Sequence, residues 1–184
     1  MLLVRARLLI FLFLFFFSFY FFCLQNNIIL VYILFVGVKE RCRRVHHVET
    51  ILGRRRYIEN IASSDREKRM QAERKSVNTL CQGSAADLIK LAMVNIFHQL
   101  ASEPSFKNIR KVKSYPGAGL YRCNDDEVRF LLQIHDELLY EVREDCVERV
   151  AAIVKSCMEN AVKLTVPLQV KVEVGVSWGE MHPL

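Results

Sequence analysis

Hydrophobic and polar positions alternate most clearly in the second half of the chain, where they predict strands. Apolar residues alternate with mostly polar ones over Val166–Val176, the pattern of a half-buried strand. Two short apolar runs, Phe130–Ile134 and Leu138–Val142, flank the polar residues 135–137. We therefore expect a tight hairpin that carries these three polar residues at its tip.

Helical periodicity predicts three helices around this hairpin. One covers Arg66–Thr79 behind an N-cap at Ser64 or Asp65. Gly83 interrupts the pattern, and residues 84–87 have the form of a capping box that would open a second, mostly buried helix. A third helix follows the hairpin and precedes the last strand. This order predicts an α+β fold, an antiparallel sheet with helices packed on one side.

Residues 1–38 form a hydrophobic segment unlike the remainder, residues 39–184. The run Leu8–Leu24 has Ser18 as its one polar residue, and nine of the twelve phenylalanines lie in the segment. Hydropathy favours a signal-anchor or transmembrane segment. Translated non-coding sequence, which is rich in Phe, Leu, Ile and Asn, would look the same. Under either interpretation we expect residues 1–38 to be foreign to the fold of the rest.

Positive charge is concentrated in one block. Residues 39–78 hold twelve Lys or Arg and six Asp or Glu, whereas the whole chain has a net charge of +6. Such a block suits a polyanion such as nucleic acid, although a solvated basic face has the same composition. Within it, Arg54, Arg55 and Arg56 follow the turn residue Gly53, where guanidinium groups can clamp phosphates.

Hydrogen-bond donors recur along the first predicted helix. Arg74, Asn78 and Gln82 lie at i, i+4 and i+8, so a continuous helix places them on one face. A row of donors can meet the acceptors that the minor groove presents at every base pair, without reading sequence. A polar face directed to solvent is the alternative.

The predicted hairpin tip carries two adjacent carboxylates, Asp136 and Glu137, beside His135. Magnesium prefers oxygen ligands and usually takes one or two carboxylates together with phosphate oxygens. A solvated turn is the competing interpretation. The six cysteines contain no Cys-x-x-Cys pair, which argues against a zinc site and favours a reduced, intracellular protein.

Several motifs in order resemble the C-terminal part of the palm of family A DNA polymerases. The matching stretches, over about residues 45–181, are Thr50–Tyr57, Gln71–Arg74 with Asn78 and Gln82–Asp87, Gln133–Leu138, Met158–Leu164 and Ser177–Glu180. The resemblance implies a nuclear enzyme of DNA replication or repair that binds a primer-template duplex, a deoxynucleoside triphosphate and two Mg²⁺ ions.

The resemblance also implies a role for each matched residue. Asp136 is expected to be a catalytic metal ligand, with Glu137 in a supporting part and His135 near the primer terminus. The other implied DNA contacts are to the minor groove and to the backbone: Arg74, Asn78 and Gln82 for the groove, Arg54 and Arg55 for the backbone.

Parts of the family pattern have no match in this chain. The second catalytic Asp, in a motif of the form Asp-Tyr-Ser-Gln-Ile-Glu, and the fingers helix that holds the nucleotide are missing. Residues 102–126 have no clear period and predict a surface loop or insertion. We therefore expect a partial palm that is inactive alone. A non-catalytic DNA-binding remnant and a membrane-anchored protein with a basic cytosolic domain are the alternatives.

Overall fold

The structure, a computed structural model, describes residues 1–9, 28–103 and 127–184. These form two compact units, one made of Met1–Leu9 with Leu88–Leu184 and one within Ile10–Asp87. Most of the hydrophobic run and most of the predicted loop, with Asp125 and Asp126, lie outside the described residues.

The described residues form three α-helices and seven strands, with one turn of 3₁₀-helix at Glu144–Cys146. The helices are α1 (Ile28–Val45), α2 (Arg66–Ser102) and α3 (Val147–Glu159). The strands are β1 (Leu2–Leu9), β2 (His47–Glu49), β3 (Arg55–Tyr57), β4 (Val128–Ile134), β5 (Glu137–Val142), β6 (Gln169–Gly175) and β7 (Met181–Pro183).

Five strands of the first unit form an antiparallel sheet in the order β4-β5-β1-β6-β7. Its apolar face packs against α3, whose buried side chains recur at helical spacing: Val147, Val150, Ala151, Ile153, Val154, Cys157 and Met158. The predicted α+β class, an antiparallel sheet with packed helices, is therefore confirmed. The strand predicted over Val166–Val176 corresponds to β6 but is shorter. Val166 and Val176 lie outside β6 and are exposed.

The N-terminal strand β1 occupies the centre of this sheet, between β5 and β6. Val4, Ala6 and Leu8 are fully buried, and Arg5 and Arg7 point to the opposite face. The expectation that residues 1–38 are foreign to the fold is therefore wrong for β1. The cause is a period-two alternation at the start of the hydrophobic segment, which inserts one apolar face into the core.

Helix α1 crosses the composition break at Lys39 without interruption and ends at Val45. Its residue Cys42 belongs to a small core of the second unit, together with Val48, Ile58, Ile61 and Ala72. Val38 packs against the same core. The change in composition therefore coincides with no change of secondary structure.

Helix α2 is one continuous helix of 37 residues, not two helices separated at Gly83. Its start is as predicted, because the Asp65 carboxylate accepts the backbone N–H of Glu67 at 2.9 Å. The predicted capping box at Ser84 is wrong, since the Ser84 hydroxyl accepts the N–H of Ile51 at 2.9 Å.

Length and hydropathy would allow α2 to cross a membrane, but a buried core helix passes the same test.

Candidate active site and nucleic-acid interface

The β2–β3 hairpin of the second unit is fastened to helix α2 by hydrogen bonds from its turn. Gly53, with φ of 80°, allows the chain to reverse. The Thr50 hydroxyl donates to Asp87 Oδ2 at 2.6 Å, and Arg54 Nε donates to Asp87 Oδ1 at 2.8 Å. Asp87 is buried, so both carboxylate oxygens are satisfied where water is excluded. The turn is thus held rigidly on the helix.

Gly83 provides the space that this contact needs. A Cβ atom at position 83 would lie 2.9 Å from Thr50 Cγ2 and 3.2 Å from Arg54 Nη2. The Thr50 methyl belongs to a short, branched side chain that is itself hydrogen-bonded, so it has little freedom to move. The Arg54 guanidinium also donates to the Gly83 carbonyl at 3.2 Å. Glycine at this position is therefore explained by close packing and not by the end of a helix.

We expect Gly83→Ala to destabilise the second unit by about 0.5–2 kcal/mol, because the usual overpacking cost of about 1–3 kcal/mol is only partly offset by a gain in helix propensity of about 0.5–1 kcal/mol. Gly37→Ala is the matched control, because a Cβ atom at position 37 in α1 meets nothing within 4 Å. There the gain in helix propensity should stabilise the chain by about 0.5–1 kcal/mol. Urea unfolding of both variants measures the difference, and equal effects of the two substitutions would contradict the packing argument.

A polar cleft of about 280 Å³ lies beside this junction. It is lined by Arg54, Arg56, Lys75, Asn78, Thr79, Gln82 and Gly83. Asn78 and Gln82 are two of the three donors predicted on one helix face, and the structure brings these two together here. Buried Asn78 Oδ1 has no hydrogen-bond partner among the described residues. Arg74, although exposed on the same helix, is not part of the lining.

Sequence reasoning gave no individual role to two polar residues of this cleft, Lys75 and Thr79. Lys75 is exposed, and Arg56 Nη1 donates to Thr79 Oγ1 at 3.2 Å. Lys75 follows Arg74 in sequence, and Thr79 follows Asn78. The cleft therefore covers a wider part of the helix surface than the single row of residues spaced four apart. Arg56 belongs to the Arg triplet that was considered above for clamping phosphates. A cleft bordered by three cations and several donors is suited to an anion.

The arginines predicted to touch a phosphate backbone have partners within the protein. Arg54 is tied to Asp87, as described above, and its side chain is about half exposed (48%). Arg55 donates to Glu49 at 2.8 Å, and this hydrogen bond holds the pKa of the Glu49 carboxyl below its usual value. Arg55 nevertheless remains mostly exposed. Each therefore keeps part of its side chain exposed to solvent.

In the first unit, the hairpin of β4 and β5 has the predicted form with a shorter tip. The turn consists of His135 and Asp136, whereas Glu137 is the first residue of β5. His135 has φ of 51°, in the left-handed region, and its carbonyl accepts a hydrogen bond from Gln133 Nε2 at 3.0 Å. The turn therefore fixes Asp136 and Glu137 as neighbours at the end of a paired hairpin.

Glu137 forms an ion pair with Arg7 of β1, the residue directly opposite in the strand register. The next residue, Leu8, donates its backbone N–H to the Asp136 carbonyl oxygen at 3.1 Å. Asp136 makes no side-chain ion pair with a described residue. The strand beside the turn thus contributes a cation where a two-metal site needs a further carboxylate.

These residues do not by themselves fit a magnesium site. Across residues 1–9, 28–103 and 127–184, no three His, Cys, Asp or Glu side chains form a group that could hold a metal ion. Glu137 is already neutralised by Arg7. This leaves Asp136 as a single carboxylate ligand, and a stable two-ion site requires more protein ligands than one.

Comparison with known proteins identifies the family to which this arrangement belongs. The family model described as DNA polymerase family A matches residues 30–180. The chain belongs to DNA polymerase family A. The match covers both the polar cleft and the hairpin with Asp136, and it confirms the family predicted from the motifs.

Named relatives in this family include enzymes from animals and bacteria. The chain is 44% identical to DNA polymerase theta of Mus musculus. The matched region covers 77% of this chain and 6% of the mouse protein. It is 45% identical to the thermostable DNA polymerase I of Thermus filiformis over 77% of its length, 14% of that enzyme. The chain therefore spans a small part of the family members it matches.

A solved structure supports the fold assignment of this family A chain. It is the POL domain of Pol1 from M. smegmatis in complex with DNA primer-template and dNTP. The TM-score is 0.64 and the sequence identity 38%, and the match covers 78% of this chain and 22% of the solved one. The sheet and helices described above therefore correspond to a partial palm.

Proposed function

We propose that this chain is a palm fragment of a DNA-directed DNA polymerase that acts in DNA replication or repair, most similar in kind to DNA polymerase theta. The observation that carries the proposal is the polar cleft, which joins the predicted donors Asn78 and Gln82 to Arg54 and two further cations. The family supplies the reaction class, template-dependent nucleotidyl transfer. A nuclear location follows from the similarity to theta.

The cleft is suited to duplex DNA of any sequence. Arg54, Arg56 and Lys75 supply positive charge for phosphates, and phosphate contacts give affinity without reading bases. Asn78 lines the cleft, and its Oδ1 accepts no hydrogen bond from a described residue. Its amide N–H groups are of the donor type that suits the minor-groove acceptors that all base pairs share. Arg74 and Gln82, both exposed on α2, would extend this row along the groove.

We expect the chain to bind double-stranded DNA weakly, without sequence preference and with a steep dependence on salt. Lys75→Ala should weaken binding about equally for unrelated sequences and lower the slope of log K against log salt by about one. Fluorescence anisotropy with labelled duplexes across a salt series measures both quantities. Lys155→Ala is the matched control, because Lys155 is an exposed lysine on α3 that does not line the cleft.

Two results would argue against this interface. One is binding that is insensitive to salt. The other is an equal loss of affinity in Lys75→Ala and Lys155→Ala, which would show a diffuse effect of net charge in place of a defined cleft. Arg55→Ala should have a smaller effect than Lys75→Ala, because Arg55 is already paired with Glu49.

For the chemistry, Asp136 is the residue of this chain that we assign to a catalytic metal ion, with Glu137 beside it and His135 next to the primer end. Magnesium is proposed for the complete enzyme, where ligands from outside these residues would finish its coordination shell. A deoxynucleoside triphosphate is likewise a proposed partner of the complete enzyme. The chain alone is proposed to bind DNA without extending it.

The non-catalytic DNA-binding remnant is the second candidate function, and the Arg7–Glu137 ion pair favours it. A remnant would keep the cleft while losing the metal site, so only a test of catalysis separates the two.

The membrane-anchored alternative is not favoured by the family match. Helix α2 places Leu88, Ile89, Ala92, Ile96 and Leu100 in the protein core.

A further inference from the structure

Strand β1 carries two arginines on the charged face of the sheet, and each is paired with a glutamate on a neighbouring strand. Arg5 donates from Nε to Glu173 at 2.9 Å, and this hydrogen bond holds the pKa of the Glu173 carboxyl below its usual value. Arg7 pairs with Glu137 in the same way. The opposite face of the strand is fully buried, so the alternation fixes both arginines on this side.

The two ion pairs differ in what lies beside them. Arg7 stands directly opposite Glu137, the residue that follows Asp136, and its neighbour Leu8 binds the Asp136 carbonyl. Directly opposite residues of an antiparallel pair have Cβ atoms about 4.5–5.5 Å apart. Arg5 instead faces Leu139 on β5. Of the two arginines, only Arg7 therefore has its side chain next to the turn formed by His135 and Asp136.

We propose that Arg7 is a built-in countercharge that prevents the Asp136–Glu137 pair from holding a divalent cation. The Arg7 guanidinium forms an ion pair with the carboxylate of Glu137, and the Glu137 side chain is only 14% exposed. It also brings a positive charge against any cation that approaches Asp136. The identity of residue 7 thus decides the metal affinity of the turn. The inference rests on the proposed role of Asp136 as a metal ligand.

A purely structural cross-strand ion pair is the competing explanation, and it makes a different prediction. Removal of Arg7 would then lower stability and leave metal binding unchanged. A countercharge, by contrast, blocks a site that a carboxylate at the same position would complete. Asp at position 7 would face Glu137 across the strand pair and supply the further oxygen ligands that magnesium and manganese prefer.

The test is a titration of the full chain with Mn²⁺, followed by the loss of the free-ion electron paramagnetic resonance signal and by calorimetry. Arg7→Asp should bind Mn²⁺ at least about tenfold more tightly than the unaltered chain, a change of about 1.4 kcal/mol. Adding Asp136→Asn to Arg7→Asp should abolish that gain. Thermal melting without metal establishes that each variant is folded.

Two further variants keep the inference falsifiable. Arg5→Gln is the matched control for Arg7→Gln, two residues and about 6.8 Å along the same strand. It removes a cation from the same face without adding a carboxylate, so it should leave Mn²⁺ affinity unchanged. If Arg7→Asp does not fold, Arg7→Gln decides, because it removes the countercharge without adding a carboxylate and should tighten binding about threefold.

Three outcomes would overturn the inference. They are a gain in Arg5→Gln equal to that in Arg7→Gln, no gain in either variant at position 7, and an unaltered chain whose Mn²⁺ binding is lost in Asp136→Asn. None of these titrations contains DNA. Their failure is therefore distinguishable from failure of the proposed DNA-binding function, which the anisotropy series measures on its own.

Discussion

Deletion of residues 1–9 is expected to abolish cooperative unfolding of the unit that contains the five-stranded sheet. The deletion removes the central strand, so β5 and β6 each lose a hydrogen-bonded partner. It also removes Val4 and Leu8, which are fully buried and contribute about 1.5–3 kcal/mol each. A single domain is usually stable by about 5–15 kcal/mol, so the loss is a large share of the total.

The chain's one tryptophan, Trp178, lies in this unit and reports its unfolding by fluorescence. Two leucine substitutions provide a graded control. Leu8→Ala, at a fully buried site, should cost about 2–5 kcal/mol. Leu184→Ala, at a site that is 62% exposed, should change stability by less than about 0.5 kcal/mol. A deletion variant that still melts cooperatively would show that β1 is dispensable, as the composition first indicated.

The chain of 184 residues is expected to show no template-dependent primer extension. At the hairpin turn, Glu137 is paired with Arg7, and Asp136 makes no ion pair with a described residue. A two-metal transfer needs carboxylates from two strands. The sequence also has no match to the nucleotide-holding fingers helix, and positioning supplies much of the rate in phosphoryl-type transfer. Extension of a labelled primer, resolved on a gel, is the measurement.

Joining residues 45–184 to the upstream palm and fingers of a related family A enzyme is expected to restore extension. Asp136→Ala in that chimaera should then reduce the rate by several orders of magnitude, because it removes the carboxylate that we propose as a metal ligand. Lys155→Ala is a suitable control that should leave the rate unchanged, because Lys155 is exposed on α3 and lies outside the hairpin. Extension by the purified chain alone, or a chimaera indifferent to Asp136→Ala, would refute the assignment.

Local sequence patterns were sufficient wherever a single period continued through an element. The hairpin around His135 and Asp136, the N-cap at Asp65 and the apolar stripe of α3 were all predictable, because neighbours in sequence determine them. The family was predictable as well, since several short motifs occur in the right order. The donor row on α2 was predicted in part, through Asn78 and Gln82.

Tertiary structure decided the features that depend on residues far apart in the chain. Gly83 looked like a helix break, but its partner Thr50 is 33 positions away and requires a glycine for packing. Segment 1–38 looked foreign because overall composition hid a short alternation, and only pairing with β5 and β6 gives Leu2–Leu9 a place. Arg7 became significant for the same reason, because strand register alone brings it opposite Glu137.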